Sequence, residues 1–157
     1  MHPKVAEALA GTATAYKEYR HADFAEPIKT AADFAVQLKY DLDRISKSLL
    51  VRCAGGSLYA MVVAPMGKKV DFSRLAAQLG CKRVEVAPVA DLHSLTDYPQ
   101  NGVSPIGIAA SIRVIIDDSL FAFDTILVGA GEAGVEVELS PIDLLSITKA
   151  SRSPLNL

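Results

Sequence analysis

Apolar positions change their period several times along this chain, and each change marks an element. Residues 3–10 follow a short helical pattern, while residues 15–21 alternate as a strand does, Tyr16, Glu18 and Arg20 opposing Ala15, Lys17 and Tyr19. Thr30 stands before Ala31-Ala32-Asp33 as an N-cap with an acidic residue three positions on. Ala32, Phe34, Ala35 and Leu38 then form the stripe of a helix ending near Tyr40. Two β-rich runs, 45–53 and 57–64, flank Ala54-Gly55-Gly56, and a Gly-Gly pair between such runs predicts a hairpin. Asp71 is placed to cap an amphipathic helix that turns Phe72, Leu75, Ala76 and Leu79 to one side and stops at Gly80.

Further along, 83–86 reads as a short strand and 89–95 as a brief helix. Residues 98–107 hold two prolines and two glycines without periodicity, which predicts a shaped loop. Strands follow at 112–116, 125–128 and 135–139, and Ser140-Pro141 opens a last helix running to about Ala150, with serine as N-cap and proline at the first position. Hairpins with scattered helices, in place of strict βαβ alternation, predict an α+β or mixed-sheet fold.

The 157 residues are expected to form a single domain, 1–157, and half of them are hydrophobic, which excludes a disordered or collagen-like chain. A net charge of −2 removes the broad basic surface of a protein that coats duplexes, so any nucleic-acid contact must be local. The two cysteines, Cys53 and Cys81, form no C-x-x-C motif and no disulfide framework is indicated; a reducing, cytoplasmic setting is the expectation. The first residues run into a polar, alanine-rich helix rather than a targeting segment. No apolar run approaches the ~20 residues that span a bilayer, so no membrane association is expected.

Several motifs are weaker than they look. Gly129-Ala130-Gly131-Glu132-Ala133-Gly134 matches G-x-G-x-x-G behind a strand, but a dinucleotide site must open a helix. Here Val135-Glu136-Val137-Glu138-Leu139 alternates like a strand, so a glycine-rich hairpin turn is expected. Ser146-Ile147-Thr148-Lys149 matches S-x-x-K without the partner motifs and reads as a solvated helix face. His2, His21 and His93 lie in unrelated segments with no second ligand at metal spacing, which gives no metal site. Asp117-Asp118 and Asp41-Leu42-Asp43 offer paired carboxylates for acid–base chemistry, though turn and cap roles are the commoner use.

Two features stand out. Alternation puts Lys47 on the same strand face as Ile45, Leu49 and Val51, so the ammonium must find an anion, reach a cavity, lose part of its charge, or snorkel from near the strand start to water. In Gly102-Val103-Ser104-Pro105-Ile106-Gly107 the end glycines permit close backbone approach while Pro105 stiffens the middle. A loop of that kind either connects two strands tightly or aims N–H groups at a ligand oxygen, as an oxyanion site requires.

Taken in order, Ile45-Ser46-Lys47-Ser48-Leu49-Leu50-Val51, Val70-Asp71 with Leu79-Gly80-Cys81-Lys82, the Gly102–Gly107 loop, Ile116-Asp117, Gly129-Ala130-Gly131 and Leu139-Ser140-Pro141-Ile142-Asp143-Leu144 resemble the YbaK/prolyl-tRNA synthetase-associated editing domain family, over residues 30–150 or so. The resemblance implies a mixed, largely antiparallel sheet flanked by helices, and an enzyme that hydrolyses the ester of mischarged tRNA, most often tRNA(Pro) carrying a small wrong amino acid: Ala, Ser, Thr or Cys. It implies catalytic roles for Lys47, Gly102, Pro105 and Gly107, and substrate contacts from Ser48, Ser104, Ile106, Asp117, Gly129, Ala130 and Gly131. No cofactor and no metal are implied. The partners implied are the tRNA acceptor end and prolyl-tRNA synthetase, and the alternative is a non-catalytic tRNA- or synthetase-binding module of the same fold. Arg44, Lys47, Arg52, Lys68, Lys69, Arg74, Lys82 and Arg83 either track a few phosphates or are solvated surface. The chain departs from the family pattern at Thr96-Asp97-Tyr98 and Asn101-Gly102, and has Ser48, Gly129 and Glu136 where other branches carry Thr or Asn, Ser, and Asp.

Overall fold

The computed structural model describes residues 1–157. In chain order the elements are α1 (Pro3–Ala10), β1 (Tyr16–Arg20), α2 (Ala31–Leu38), β2 (Ser46–Cys53), β3 (Tyr59–Pro65), α3 (Phe72–Leu79), β4 (Val84–Val86), α4 (Val89–Thr96), β5 (Arg113–Asp117), β6 (Ile126–Gly129), β7 (Val135–Leu139), α5 (Pro141–Thr148) and β8 (Ser151–Ser153). Local chemistry sets the helix starts as the pattern predicts. Thr30 and Asp33 form a reciprocal capping box on α2, Asp71 accepts from the Arg74 N–H on α3, and Ser140 accepts from the Ile142 N–H ahead of Pro141 on α5.

The strands divide into two sheets, ordered β4-β2-β3-β5-β8 and β1-β7-β6. β2 pairs antiparallel with β3 and β4, whereas β5 runs parallel to β3 and β8 parallel to β5; the smaller sheet is antiparallel throughout. This is the α+β, largely antiparallel architecture expected, split in two. The sheets meet where Ile45 bridges Leu127 and the Ser46 hydroxyl donates to the Leu127 carbonyl at 2.7 Å.

β3 is the central strand, and its alternation feeds two cores. Met61 and Val63 face the larger one with Leu50, Ile116, Val128 and Val137, while Ala60, Val62 and Ala64 face Leu75, Leu79 and Ile115 beneath α3. All five of these β3 residues are fully buried, as a strand covered on both faces must be. A third, small cluster seats Phe34 of α2 against Ile45 and Leu127 at the junction of the sheets.

Two details differ from the sequence reading. α5 ends at Thr148, and β8, made of Ser151-Arg152-Ser153, then joins the sheet; a polar strand this short carries no periodic signal and exists because β5 offers it a ladder. Cys53, closing β2, and Cys81, just past α3, are joined by a disulfide with Cα atoms 5.9 Å apart. That corrects the expectation of unpaired thiols: the return of the chain through α3 against β2, not any spacing of the two cysteines, brings them together. No helix is long and apolar enough to cross a membrane.

Non-reducing peptide mapping should recover Cys53 joined to Cys81. Replacing Cys81 by serine should lower the unfolding free energy by about 2–4 kcal/mol, read from urea midpoints with and without reductant.

Candidate functional site

A cleft of about 380 Å³ opens where the start of β2, the 99–103 segment and the β6–β7 hairpin converge. It is continuous with a second hollow of about 300 Å³ that shares His21, Met66, Asn101, Gly134 and Glu136 and reaches Thr30 at the start of α2.

Lys47 reaches this cleft because β2 begins at the sheet junction. Its neighbours on the same face, Leu49 and Val51, pack under α3, but one pair before the strand's end the apolar cover runs out. The Lys47 Nζ donates to the Lys68 carbonyl at 2.6 Å, and partial burial pulls its pKa below the ordinary lysine range. Both earlier readings therefore hold in part: the stem lies along the protein and the head reaches a polar opening. Ser48, next along and facing the other way, also lines the cleft, and its hydroxyl is buried without a hydrogen-bond partner in the chain.

The opposite wall is backbone on backbone. A Cβ on Gly129 would sit 2.1 Å from the Val103 carbonyl oxygen, and one on Gly102 would sit 2.6 Å from the Glu132 carbonyl carbon. Only glycine at both positions lets the 99–103 segment lie directly on the β6–β7 hairpin. Within the loop, the Gly102 N–H donates to the Pro99 carbonyl at 3.0 Å and the Ile106 N–H to the Ser104 hydroxyl at 3.2 Å. The backbone N–H of Val103, a residue of the cleft wall, makes no hydrogen bond within the chain, and neither do those of Gln100 and Asn101 beside it.

Of the residues singled out from the sequence, Lys47, Ser48, Gly102 and Gly129 line this cleft together. The structure does not bring the others there. Ser104, Ile106 and Ala130 are fully buried, Ile106 and Ala130 inside the larger core. Pro105 and Gly107 border a separate cavity on the far side of the loop. Gly107 and Gly131 take positive φ against the N-terminal segment, a Cβ on either falling 2.7 Å from the Lys4 carbonyl oxygen or 2.6 Å from the His2 Cβ. Asp117, 1% exposed, is a tether rather than a ligand: it accepts from the Leu155 N–H at 2.6 Å, the Asn156 side chain at 2.9 Å and the Ser119 N–H at 3.0 Å. The hairpin Gly129–Gly134 is the glycine turn expected, with no helix behind it.

Three of the basic residues of the middle third are engaged within the chain. Arg44 is held by Glu138 at 3.1 Å, Arg52 by Glu85 at 2.8 Å and Asp91 at 3.1 Å, and Arg74 by the Pro154 carbonyl at 2.9 Å.

Two residues of the cleft were given no site role from the sequence. His21 Nε2 lies 3.2 Å from Glu136 Oε2, both side chains line the opening, and register places Glu136 directly across from Gly129. Burial pushes the Glu136 carboxyl above its usual range, with His21 opposing the shift. No spacing signal could have found the pair, because His21 follows β1 and Glu136 sits on β7, and only the β1–β7 ladder joins them. Nowhere do three His, Cys, Asp or Glu side chains gather as a metal site would require. The cleft thus offers one ammonium, open N–H groups, a carboxylate–imidazole pair and an unpaired hydroxyl, a set suited to a polar, carbonyl-bearing ligand with a positive group.

The sequence model of the aminoacyl-tRNA editing domain matches residues 25–147. A protein of Enterococcus faecalis provisionally named Cys-tRNA(Pro)/Cys-tRNA(Cys) deacylase EbsC is 32% identical over 133 residues, covering 85% of this chain and 80% of its own. The prolyl-tRNA editing protein ProX of Acetoanaerobium sticklandii is 29% identical over 115 residues, 71% of this chain and 70% of its own. A crystal structure of a protein provisionally described as a trans-editing enzyme for prolyl-tRNA synthetase superposes with a TM-score of 0.80 at 18% identity, over 100% of this chain and 99% of that one, and shares the fold.

Gly129→Ala should displace the Val103 carbonyl and cost about 1–3 kcal/mol of stability, with amide chemical-shift changes centred on residues 101–104. Asp117→Ala should cost a similar amount, about 1–3 kcal/mol for the N–H groups it leaves unpaired, while the amide resonances of Lys47, Asn101 and Val103 stay in place.

Proposed function

The chain belongs to the aminoacyl-tRNA editing domain family, and on that premise we propose that it is a trans-editing deacylase hydrolysing the aminoacyl ester of mischarged tRNA, with tRNA(Pro) bearing Ala, Ser, Thr or Cys as substrate. The observation that carries this reading is the convergence of Lys47, Val103 and the Gly102–Gly129 contact in one cleft. The similarity to the Enterococcus and Acetoanaerobium proteins, named provisionally a Cys-tRNA(Pro)/Cys-tRNA(Cys) deacylase and a prolyl-tRNA editing protein, supports the substrate class.

The terminal adenosine enters the cleft with its ester carbonyl toward Lys47 and the Val103 N–H. Water adds to the carbonyl carbon, and the negative charge that develops on oxygen is met by an ammonium and an N–H already in position. Collapse breaks the bond to the ribose oxygen, which takes a proton originating from the water, and free amino acid and tRNA leave. The Glu136 carboxylate, steadied by His21, is placed to receive the α-ammonium of the bound amino acid. No side-chain nucleophile is required. Such an activity answers a physical limit, since a synthetase pocket rejects a smaller or near-isosteric amino acid by only ~10–200-fold. With a net charge of −2 and most arginines internally paired, contact is confined to the acceptor end.

Single-turnover deacylation of tRNA(Pro) charged with Ala, Ser, Thr, Cys or Pro tests the reading. At least one mischarged ester should be cleaved well above its spontaneous rate, Pro-tRNA(Pro) spared, and Lys47→Ala should lower kcat/KM about a hundred- to a thousand-fold with the fold intact. Survival of every ester alongside saturable tRNA binding would replace the enzyme by a binding module. Because burial depresses the Lys47 pKa, its ammonium is lost at lower pH than in an ordinary lysine. After subtraction of spontaneous hydrolysis, kcat/KM should therefore fall on the alkaline side earlier for the wild type than for Lys47→Arg, whose guanidinium stays charged.

A further inference from the structure

The loop that walls the cleft has a second side. Behind Pro105 and Gly107 lies a separate cavity of about 360 Å³, closed by the start of β5 and the end of α5. That volume falls in the ~300–1,000 Å³ range of small-molecule sites. Its floor is aliphatic, with Ile108, Ile112, Val114 and Ile147, and its rim carries two cations, Arg113 and Lys149.

The charge balance of this cavity is one-sided. No Asp or Glu is among its thirteen lining residues. Arg113 takes part in no ion pair, whereas the other six arginines, Arg20, Arg44, Arg52, Arg74, Arg83 and Arg152, each have a carboxylate partner; Lys149, like every lysine but Lys68, has none. At the end of α5 the carbonyls of Leu144, Leu145 and Ser146 are occupied, by the Thr148 hydroxyl at 2.7 Å, the Ala150 N–H at 3.0 Å and the Lys149 N–H, while those of Ile147 and Thr148 accept nothing within the chain; the roughly half negative charge of a helix end is outweighed by the two full positive charges of Arg113 and Lys149. What remains is a positive rim over an apolar floor.

We infer that this cavity is a second binding site, distinct from the Lys47 cleft, for a small amphipathic anion: a compact branched or short aliphatic body on the Ile108–Ile112–Val114–Ile147 floor, with a carboxylate or phosphate head between Arg113 and Lys149. Two guanidinium or ammonium donors suit either head, and the floor distinguishes such a ligand from a bare inorganic ion. The occupied cavity and the cleft share one loop, whose far end at Gly102–Val103 is pinned on the β6–β7 hairpin.

The test is an amide NMR titration of the full chain with 4-methylpentanoate and, separately, with isopentyl phosphate. Saturable shifts confined to residues 105–114 and 147–151, with a dissociation constant on the order of 1 mM or tighter for at least one of the two, are expected. Acetate and inorganic phosphate should bind at least tenfold more weakly, the Arg113→Ala/Lys149→Ala double variant should lose at least tenfold, and Lys47→Ala should bind as the wild type does. Both charged positions are exposed, so the double variant keeps its fold. The inference falls if neither amphiphile saturates, if the shifts centre on residues 47 and 101–103, if the bare ions bind as well, or if the double variant is unaffected.

Discussion

The contact on which the site depends is between two stretches of backbone. Val103 and Glu132 approach Gly129 and Gly102 so closely that any side chain at either glycine would overlap main-chain atoms, a Cβ on Gly129 falling 2.1 Å from the Val103 oxygen. Main chain cannot swing aside as a flexible side chain can, so this contact fixes where the loop stands. It holds Val103, whose N–H is free of partners within the chain, in the cleft wall, while the Gly102 and Ile106 N–H groups hold the loop's own shape. A preorganised N–H of this kind stabilises a developing oxyanion without reorganising at the moment of reaction.

The sheet junction supplies the other half. Ile45 and Ser46 join β2 to β6 through Leu127, so the first residues of β2, Lys47 and Ser48, are held beside the hairpin that carries Gly129 and Glu136. The two sheets thus each contribute one wall of the cleft, with Phe34 of α2 sealing the junction from below. A lysine at the frayed end of a buried face is an economical way to place an ammonium: its stem is covered by apolar residues, its head is not, and the partial burial weakens its hold on the proton.

Two kinds of polar group serve different ends here. Asp117 and Arg44 are enclosed by partners and hold remote segments together, Asp117 binding the Leu155–Asn156 segment and Arg44 joining Thr125 to Glu138. Lys47, the Val103 N–H and the Ser48 hydroxyl keep valences that the chain itself does not fill. Unfilled valence around a cavity, more than residue type, separates the groups suited to substrate from those that build the fold.

Most elements and the helix starts were legible in the sequence, because periodicity, Thr30 and Asp71 as caps, the Gly55-Gly56 turn and Ser140-Pro141 are local signals read within a few residues. Lys47 was legible too, since alternation alone places a charge on an otherwise apolar face. Resemblance added the family and a set of site residues, yet it could not say which of them face one opening. Asp117 and Gly131 sit in motifs beside the site but point into tethers and packing, a distinction made by atoms dozens of positions away. His21 with Glu136, the Cys53–Cys81 bond and β8 were illegible for the same reason: each exists only when strands distant in sequence are laid side by side. Local sequence fixed what each segment becomes; the register between segments decided which side chains meet, since that register is set by burial and ladder pairing across the whole chain and leaves no trace in the spacing of any two residues.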